Sequence, residues 1–225
     1  MIYTGWELHN FDEASLYRKY QFKLIEDKIR GRILEVGPGN CIYLKNYLKV
    51  SKDITLVEPT NKYFNQLKKK SRDINLKKNI LGLKKNSFDT ILYLDVLEHI
   101  QNDEIELKRA YKLLSKGGTL IICVPAFQFL FSLYDKKIGH YRRYSKGDFK
   151  TLLKKCKIYN YEMRYFDFIG SCLIFFSKLI SKNNLSNFSL KIKLWNFLIP
   201  LSFLCDLIIM RFFFGKSLLV KITKN

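Results

Sequence analysis

The stretch ILEVGPGN (33–40) constrains this chain more than any other. A short apolar run reads as a buried strand and breaks on Gly37 and Gly39. CIYLKNYL (41–48) follows with helical spacing. A strand that enters a helix through a glycine turn is the opening unit of an open α/β sheet, which binds ligands beyond the carboxyl ends of its strands. At Gly37 and Gly39 the backbone itself can approach a ligand, because a side chain there would collide with it.

The alternation continues to about residue 169. A leading helix is expected over 12–29, with Leu16, Tyr20 and Leu24 on one side, followed by a strand at 32–36 and the helix at 41–48. DITLVE (53–58) reads as a strand, 60–71 as a lysine-rich helix, and 74–80 as a weak strand. SFDTILYLDV (87–96) is a strong strand, and Asn102 opens a helix to about Leu114 that Lys116-Gly117-Gly118 stops. TLIICVP (119–125) is a buried strand. Ser145, with Asp148 three residues on, is an acidic variant of a capping box, and 157–168 is strand-like. This is the βαβα pattern of a mainly parallel, doubly wound sheet in a single domain.

The next acidic strand end after the glycine turn is Glu58, nineteen residues beyond Gly39, where a carboxylate can accept both hydroxyls of a ribose. A nicotinamide dinucleotide would want a third glycine near position 42, but Ile42 stands there. Glu35, just before the turn, suits a cationic amine. S-adenosyl-L-methionine has an amine, a ribose and no phosphate.

LEVGPGN, VEP (57–59), FDTILYLDVLEHI (88–100) and LLSKGGTLIICVPA (113–126) strongly resemble class I S-adenosylmethionine-dependent methyltransferases over about residues 17–160. LYDKKIGHYRRYS (133–145) is further similar to a bacterial and archaeal subgroup associated with glycosyltransferases and with surface-glycan or glycolipid genes. The resemblance implies a Rossmann-like, seven-stranded sheet with an apolar helical insertion before the last strand. The division it implies is an N-terminal helical cap (1–30), a cofactor-binding core (31–168), the insertion (169–214) and a final strand (215–225). It places Glu35, Gly37 and Gly39 at the methionine end of S-adenosyl-L-methionine, Glu58 on the ribose and Asp95 near the amino acid moiety. Two positions depart from the family pattern. Cys41 stands where many relatives have a third glycine, and Asn79 stands nearest the aspartate that meets the adenine amine.

On the acceptor side, His140 is the candidate base, with Asp135 five residues earlier to orient it, because methyl transfer to a hydroxyl needs a proton removed. Substrate contact without proton transfer, or a purely structural Asp135–arginine pair, are the alternatives. Arg142 and Arg143 can present planar forks to an anion, and Tyr141 a face to a sugar ring. His99, in LEHI, reads either as a packed histidine or as a border of the transfer cavity, and Glu98 as a loop anchor. No metal site is expected.

With 40 Lys and Arg against 20 Asp and Glu, the formal charge of +20 points to an anionic partner, while an overall Lys-Asn-Ile bias competes as its source. FIGSCLIFFSKLI (168–180) and LWNFLIPLSFLCDLIIMRFFF (194–214) are apolar nearly all round, but Pro200, Asp206 and Arg211 interrupt the second. Helices lying in a membrane interface are favoured over core helices or a span. Five scattered cysteines without zinc or redox spacing suit a reducing cytosol, and MIYTGWELHNFDEAS has no signal-peptide core. The combined expectation is a cytoplasmic O-methyltransferase, peripheral at the inner face of the membrane. It would act on a saccharide, glycolipid or other amphiphilic anion, with glycosyltransferases as possible partners. The rival readings are an RNA methyltransferase, which the charge favours, and a non-catalytic cofactor-binding scaffold.

Overall fold

A computed structural model describes residues 14–70, 74–180 and 188–225. Seven strands form one sheet in the order β3-β2-β1-β4-β5-β7-β6. They are β1 (Ile33–Val36), β2 (Ile54–Val57), β3 (Asn75–Lys77), β4 (Phe88–Leu94), β5 (Leu114–Pro125), β6 (Tyr161–Phe166) and β7 (Ser217–Thr223). The first five run parallel, and β7 pairs antiparallel with both β5 and β6. This is the expected seven-stranded, Rossmann-like architecture.

The central strands are buried on both faces, which is why they read as unbroken apolar runs. Leu34, Val36, Ile91, Tyr93, Leu120 and Ile122 belong to one core. It is closed by α4 (Asp103–Leu113) and α6 (Lys146–Lys155), through residues such as Leu107 and Phe149. The alternate residues Ile33, Leu92 and Ile121 belong to a second core. Across it pack α1 (Ser15–Lys23), α2 (Leu44–Val50), α3 (Asn61–Lys70) and α8 (Phe188–Phe197). The period of two in β1, β4 and β5 therefore builds two cores from one set of strands.

Several boundaries differ from expectation. The leading helix ends at Lys23 and gives way to a short 3₁₀ turn at Glu26–Lys28, while its expected first residues, Asp12 and Glu13, lie outside the described residues. Helix α2 starts at Leu44, three residues late, because the glycine turn extends to Cys41, whose φ is 51°. Helix α4 stops at Leu113, before Lys116-Gly117-Gly118. Those glycines instead lie in β5 where its register against β4 shifts, with Gly117 at φ 72°. At Gly118 a Cβ would meet the Ser115 carbonyl at 2.9 Å, so the bulge needs glycine there for space.

The apolar region after β6 folds as several short helices. They are α7 (Phe168–Ile180), α8, α9 (Ile199–Cys205), a π turn (Asp206–Met210) and α10 (Arg211–Phe213). Pro200 sits in the first turn of α9, where its missing N–H is tolerated. Asp206, the acid that argued against a span, is buried and accepts hydrogen bonds from the Tyr20 hydroxyl at 2.7 Å and the Asp167 N–H at 2.6 Å. Among the described residues, no helix is long and apolar enough to cross a membrane.

Candidate active site

The strand order reverses between β1 and β4, and the candidate residues gather beyond the carboxyl ends of these strands. Gly37 has φ 67°, a conformation that favours glycine, and a Cβ there would meet Val96 at 2.7 Å. Its N–H donates to the Val57 carbonyl at 2.8 Å, which ties the turn to β2. Gly39 (φ 52°) donates its N–H to Glu58 Oε2 at 3.0 Å. Glu58 Oε1 accepts the Thr60 N–H at 2.8 Å. The Thr60 side chain bonds to the same carboxyl; two carboxyl oxygens offer about four acceptor sites, so Glu58 can brace the turn and still accept from a ribose. Cys41 adopts a left-handed backbone (φ 51°), and its thiol donates to Glu35 Oε2 at 3.7 Å. Burial pushes the Glu35 carboxyl up to about 7 and raises that of Glu58 as well.

Asp95 follows β4 with φ 59°, anchored by its N–H to the Cys123 carbonyl at 2.9 Å. Its Oδ2 accepts from Gln21 Nε2 at 3.1 Å and lies 3.7 Å from the Arg18 guanidinium. The Tyr43 hydroxyl donates to Gln21 Oε1 at 2.7 Å. Helix α1 thus lays Arg18 and Gln21 over the end of β4. The sequence reading missed both, because the contact joins residues 74 apart and leaves no periodic signal. Asn79 is exposed, and its Oδ1 accepts the Leu81 N–H at 2.9 Å, an Asx turn that commits one lone pair to the chain itself.

The GHYRRY segment runs along the end of β5. His140 Nδ1 is 2.8 Å from Asp135 Oδ1. Arg143 grips the same carboxylate through Nε at 2.9 Å and a terminal nitrogen at 3.0 Å, and the Ser132 hydroxyl donates to it at 2.9 Å. Burial alone would raise the Asp135 carboxyl; His140 and Arg143 outweigh it and hold the group well below the usual carboxylate range. An ionised carboxylate only accepts, so Nδ1 carries a proton, and it is the neutral form of the ring that has its lone pair on Nε2. That Nε2 lies 3.7 Å from Glu98 Oε1.

The arginines require revision. Arg143 is buried with its fork on Asp135. Arg142 points to α4, 2.6 Å from Asp103 and bonded to the Gln101 carbonyl. Asp135 takes up the fork of Arg143, the structural pairing given as an alternative, while Arg142 holds Asp103 and the Gln101 carbonyl with its side chain still 30% exposed. Of the three expected substrate contacts, Tyr141 alone presents an exposed face, at 40% of its surface.

His99 packs edge-on against His140 with ring centroids 4.6 Å apart. Burial and the His140 ring push it down to about 3, so it is neutral. Glu98 is 1% exposed. Its carbonyl accepts the Tyr141 N–H at 2.8 Å, which is the anchoring role expected, while its carboxyl is raised by burial and by Asp95.

Known proteins place this geometry. A structure from Archaeoglobus fulgidus titled a SAM-dependent methyltransferase superposes with TM-score 0.61 at 14% identity, covering 92% of this chain and 93% of that one. One from Thermotoga maritima, titled a possible histamine N-methyltransferase, gives 0.56 at 20% identity over 96% and 99%. The Haemonchus contortus phosphoethanolamine N-methyltransferase 2 gives 0.65 at 13% identity, over 99% of this chain and 59% of that one. At these identities the likeness is one of fold. No curated protein matches the chain. The family profile described as a methyltransferase domain matches residues 9–162, a span that contains the glycine turn, Glu58, Asp95 and the GHYRRY segment. The chain therefore belongs to the methyltransferase-domain family and is an enzyme of that class.

Proposed function

We propose that this enzyme methylates an oxygen of a saccharide, glycolipid or lipid-linked intermediate. The methyl donor is S-adenosyl-L-methionine, and the turn fits it: a Cβ at Gly37 would run into Val96, so the backbone there stays bare, and buried Glu35 and Glu58 flank the turn with carboxyl oxygens. Glu35, Gly37 and Gly39 would hold its methionine end, Glu58 its ribose and Asp95 its amino acid moiety; Arg18 would meet its carboxylate. Bound there, the donor supplies an electrophilic methyl on a sulfonium centre. Methyl transfer then needs alignment above all, which a rigid turn supplies.

The observation that carries the oxygen acceptor is the Asp135–His140 hydrogen bond at 2.8 Å. Asp135 orients the imidazole, which leaves Nε2 of the neutral ring as the candidate acceptor of a hydroxyl proton. The lipid or glycan class is supported by the apolar helices after β6, which leave Phe197, Ile208 and Phe213 exposed, together with the charge of +20. The same features favour docking at an anionic membrane surface. The charge also favours RNA as a second reading; salt-dependent retention of RNA in filter binding would support it.

The test is labelled methyl transfer from S-adenosyl-L-methionine into lipid and glycan extracts, paired with mass spectrometry of a deletion strain. The expected result is a glycan or glycolipid lacking one methyl increment, restored by wild type and not by His140→Ala. Label appearing only in RNA or in amines would overturn the proposal.

A further inference from the structure

We propose that Glu98, His99 and His140 form a binding site for one divalent first-row transition-metal cation, between the end of β4 and the GHYRRY segment. The inference rests on the reading of His140 as the residue that meets the acceptor's oxygen, and deepens it. One donor atom from each of the three residues lies within 4.8 Å of the other two. The gap from His140 Nε2 to Glu98 Oε1 is already 3.7 Å. A cation bound at about 2.1 Å holds tetrahedral donors about 3.5 Å apart, so a contraction of about an ångström closes the site.

Glu98 is the first reason to place a cation here. It is 1% exposed, and neither carboxyl oxygen has a hydrogen-bond partner among the described residues. Burial raises that carboxyl toward its protonated form, and a bound cation is the alternative to a proton for a carboxylate so buried. The backbone that carries it is held by the Tyr141 N–H, 2.8 Å from its carbonyl.

His140 is the second. A metal-binding imidazole typically donates its other ring N–H to a carboxylate, which fixes the ring and raises its basicity as a ligand. His140 has that arrangement, with Nδ1 on Asp135 and Asp135 gripped in turn by Arg143 and Ser132. The His99 ring is held as well, by its edge-on contact with His140.

Two imidazole nitrogens and one carboxylate oxygen suit manganese, iron, cobalt or zinc better than magnesium or calcium, which favour oxygen alone. Three protein donors leave positions open for an oxygen of the acceptor. In the loaded enzyme His140 is then a ligand that positions the acceptor, and it serves as base only without the ion.

The experiment is titration of the metal-free, full-length protein with Co²⁺ and Mn²⁺. Co²⁺ should bind at one equivalent with visible ligand-field absorption, Mn²⁺ should lose its free-ion resonance signal, and Mg²⁺ should not compete. Glu98→Gln and His140→Ala should each weaken Co²⁺ binding at least tenfold, and Asp135→Asn by about 10–100-fold. Absence of binding below millimolar Co²⁺, or binding unchanged in both ligand variants, overturns the site. If a variant fails to fold, nitrogen hyperfine coupling in the metal-loaded wild type decides: two histidine nitrogens support the site, and none overturns it. Calorimetry with S-adenosyl-L-methionine on the metal-free protein separates the two readings. Cofactor binding without a metal site removes this inference alone, whereas loss of cofactor binding removes the methyltransferase site and leaves the cation titration to stand by itself.

Discussion

At the scale of single residues, two buried carboxylates carry most of the argument, and each makes a measurable difference. Glu58→Ala should weaken S-adenosyl-L-methionine binding by about 1.5–3 kcal/mol in calorimetry, the scale of lost charge-assisted hydrogen bonds. Unchanged affinity would remove Glu58 from the ribose. Glu35 is tested by pH instead. Its folded carboxyl sits at about 7, above its unfolded value of 4.5. A raised carboxyl contributes stability that is fully present below pH 4.5 and is lost as pH rises through about 7, because only the folded state still holds the proton there. Glu35→Gln lacks that titration, so its stability relative to wild type should rise between pH 4.5 and 7, by on the order of 3 kcal/mol in all. Parallel denaturation curves for the two proteins across that window would show the burial account to be mistaken. Both carboxylates were legible because they sit at strand ends next to a glycine turn, a local pattern. Arg18 and Gln21 were not, since only the packing of α1 across the sheet brings them to Asp95. The fate of Arg143 was half legible: a structural Asp135–arginine pair was one of the readings, but nothing in GHYRRY says which arginine makes it, and burial of Arg143 beside Asp135 decided it.

At the scale of elements, local rules held where both partners lie within one turn. Ser145 and Asp148 form the reciprocal capping box expected of them, with Ser145 N–H to Asp148 at 2.8 Å and Asp148 N–H to Ser145 at 3.1 Å. Helix α1 has no such cap of its own. Its first N–H groups, those of Leu16 and Tyr17, donate instead to Asn196 Oδ1 at 2.9 and 3.1 Å. Asn196 belongs to α8, so the apolar insertion closes the helix that carries Arg18 and Gln21. Asn196→Ala leaves two helix-end donors without their acceptor and should cost about 1 kcal/mol. For a chain of this size that is a fall of roughly 2–4 °C in Tm, and Asn196→Asp, an equally good cap, should restore it. An unaltered melting curve for the alanine variant would mean that the cap contributes nothing. The glycine pair at 117–118 shows the opposite limit. Glycines after a helix read as a stop, yet here they serve a strand bulge whose need arises from the neighbouring strand β4.

At the scale of the whole molecule, strand alternation was enough to recover the sheet, because each buried strand announces itself by its own apolar run. The insertion before β7 was legible only as apolar, since its faces are set by what they cover. Ile192, Trp195 and Ile199 are buried in the second core, while Phe197, Leu204, Ile208 and Phe213 remain more than half exposed. We propose that this exposed apolar surface is an interaction site and, given the net charge of +20, that the surface it meets is anionic. Interfacial binding of such helices combines burial of apolar side chains with attraction of about 1 kcal/mol per basic residue near an anionic surface. The protein should therefore sediment with vesicles that contain an anionic phospholipid and stay in the supernatant with purely zwitterionic ones. Raising the salt should weaken the first result, because only the electrostatic part is screened. Ile208→Glu combined with Phe213→Glu should abolish it while leaving the melting curve unchanged, since both side chains are already in water. Retention in the supernatant with anionic vesicles, or undiminished binding by the double variant, would show that these helices face something other than lipid and would leave the acceptor to be sought among water-soluble saccharides.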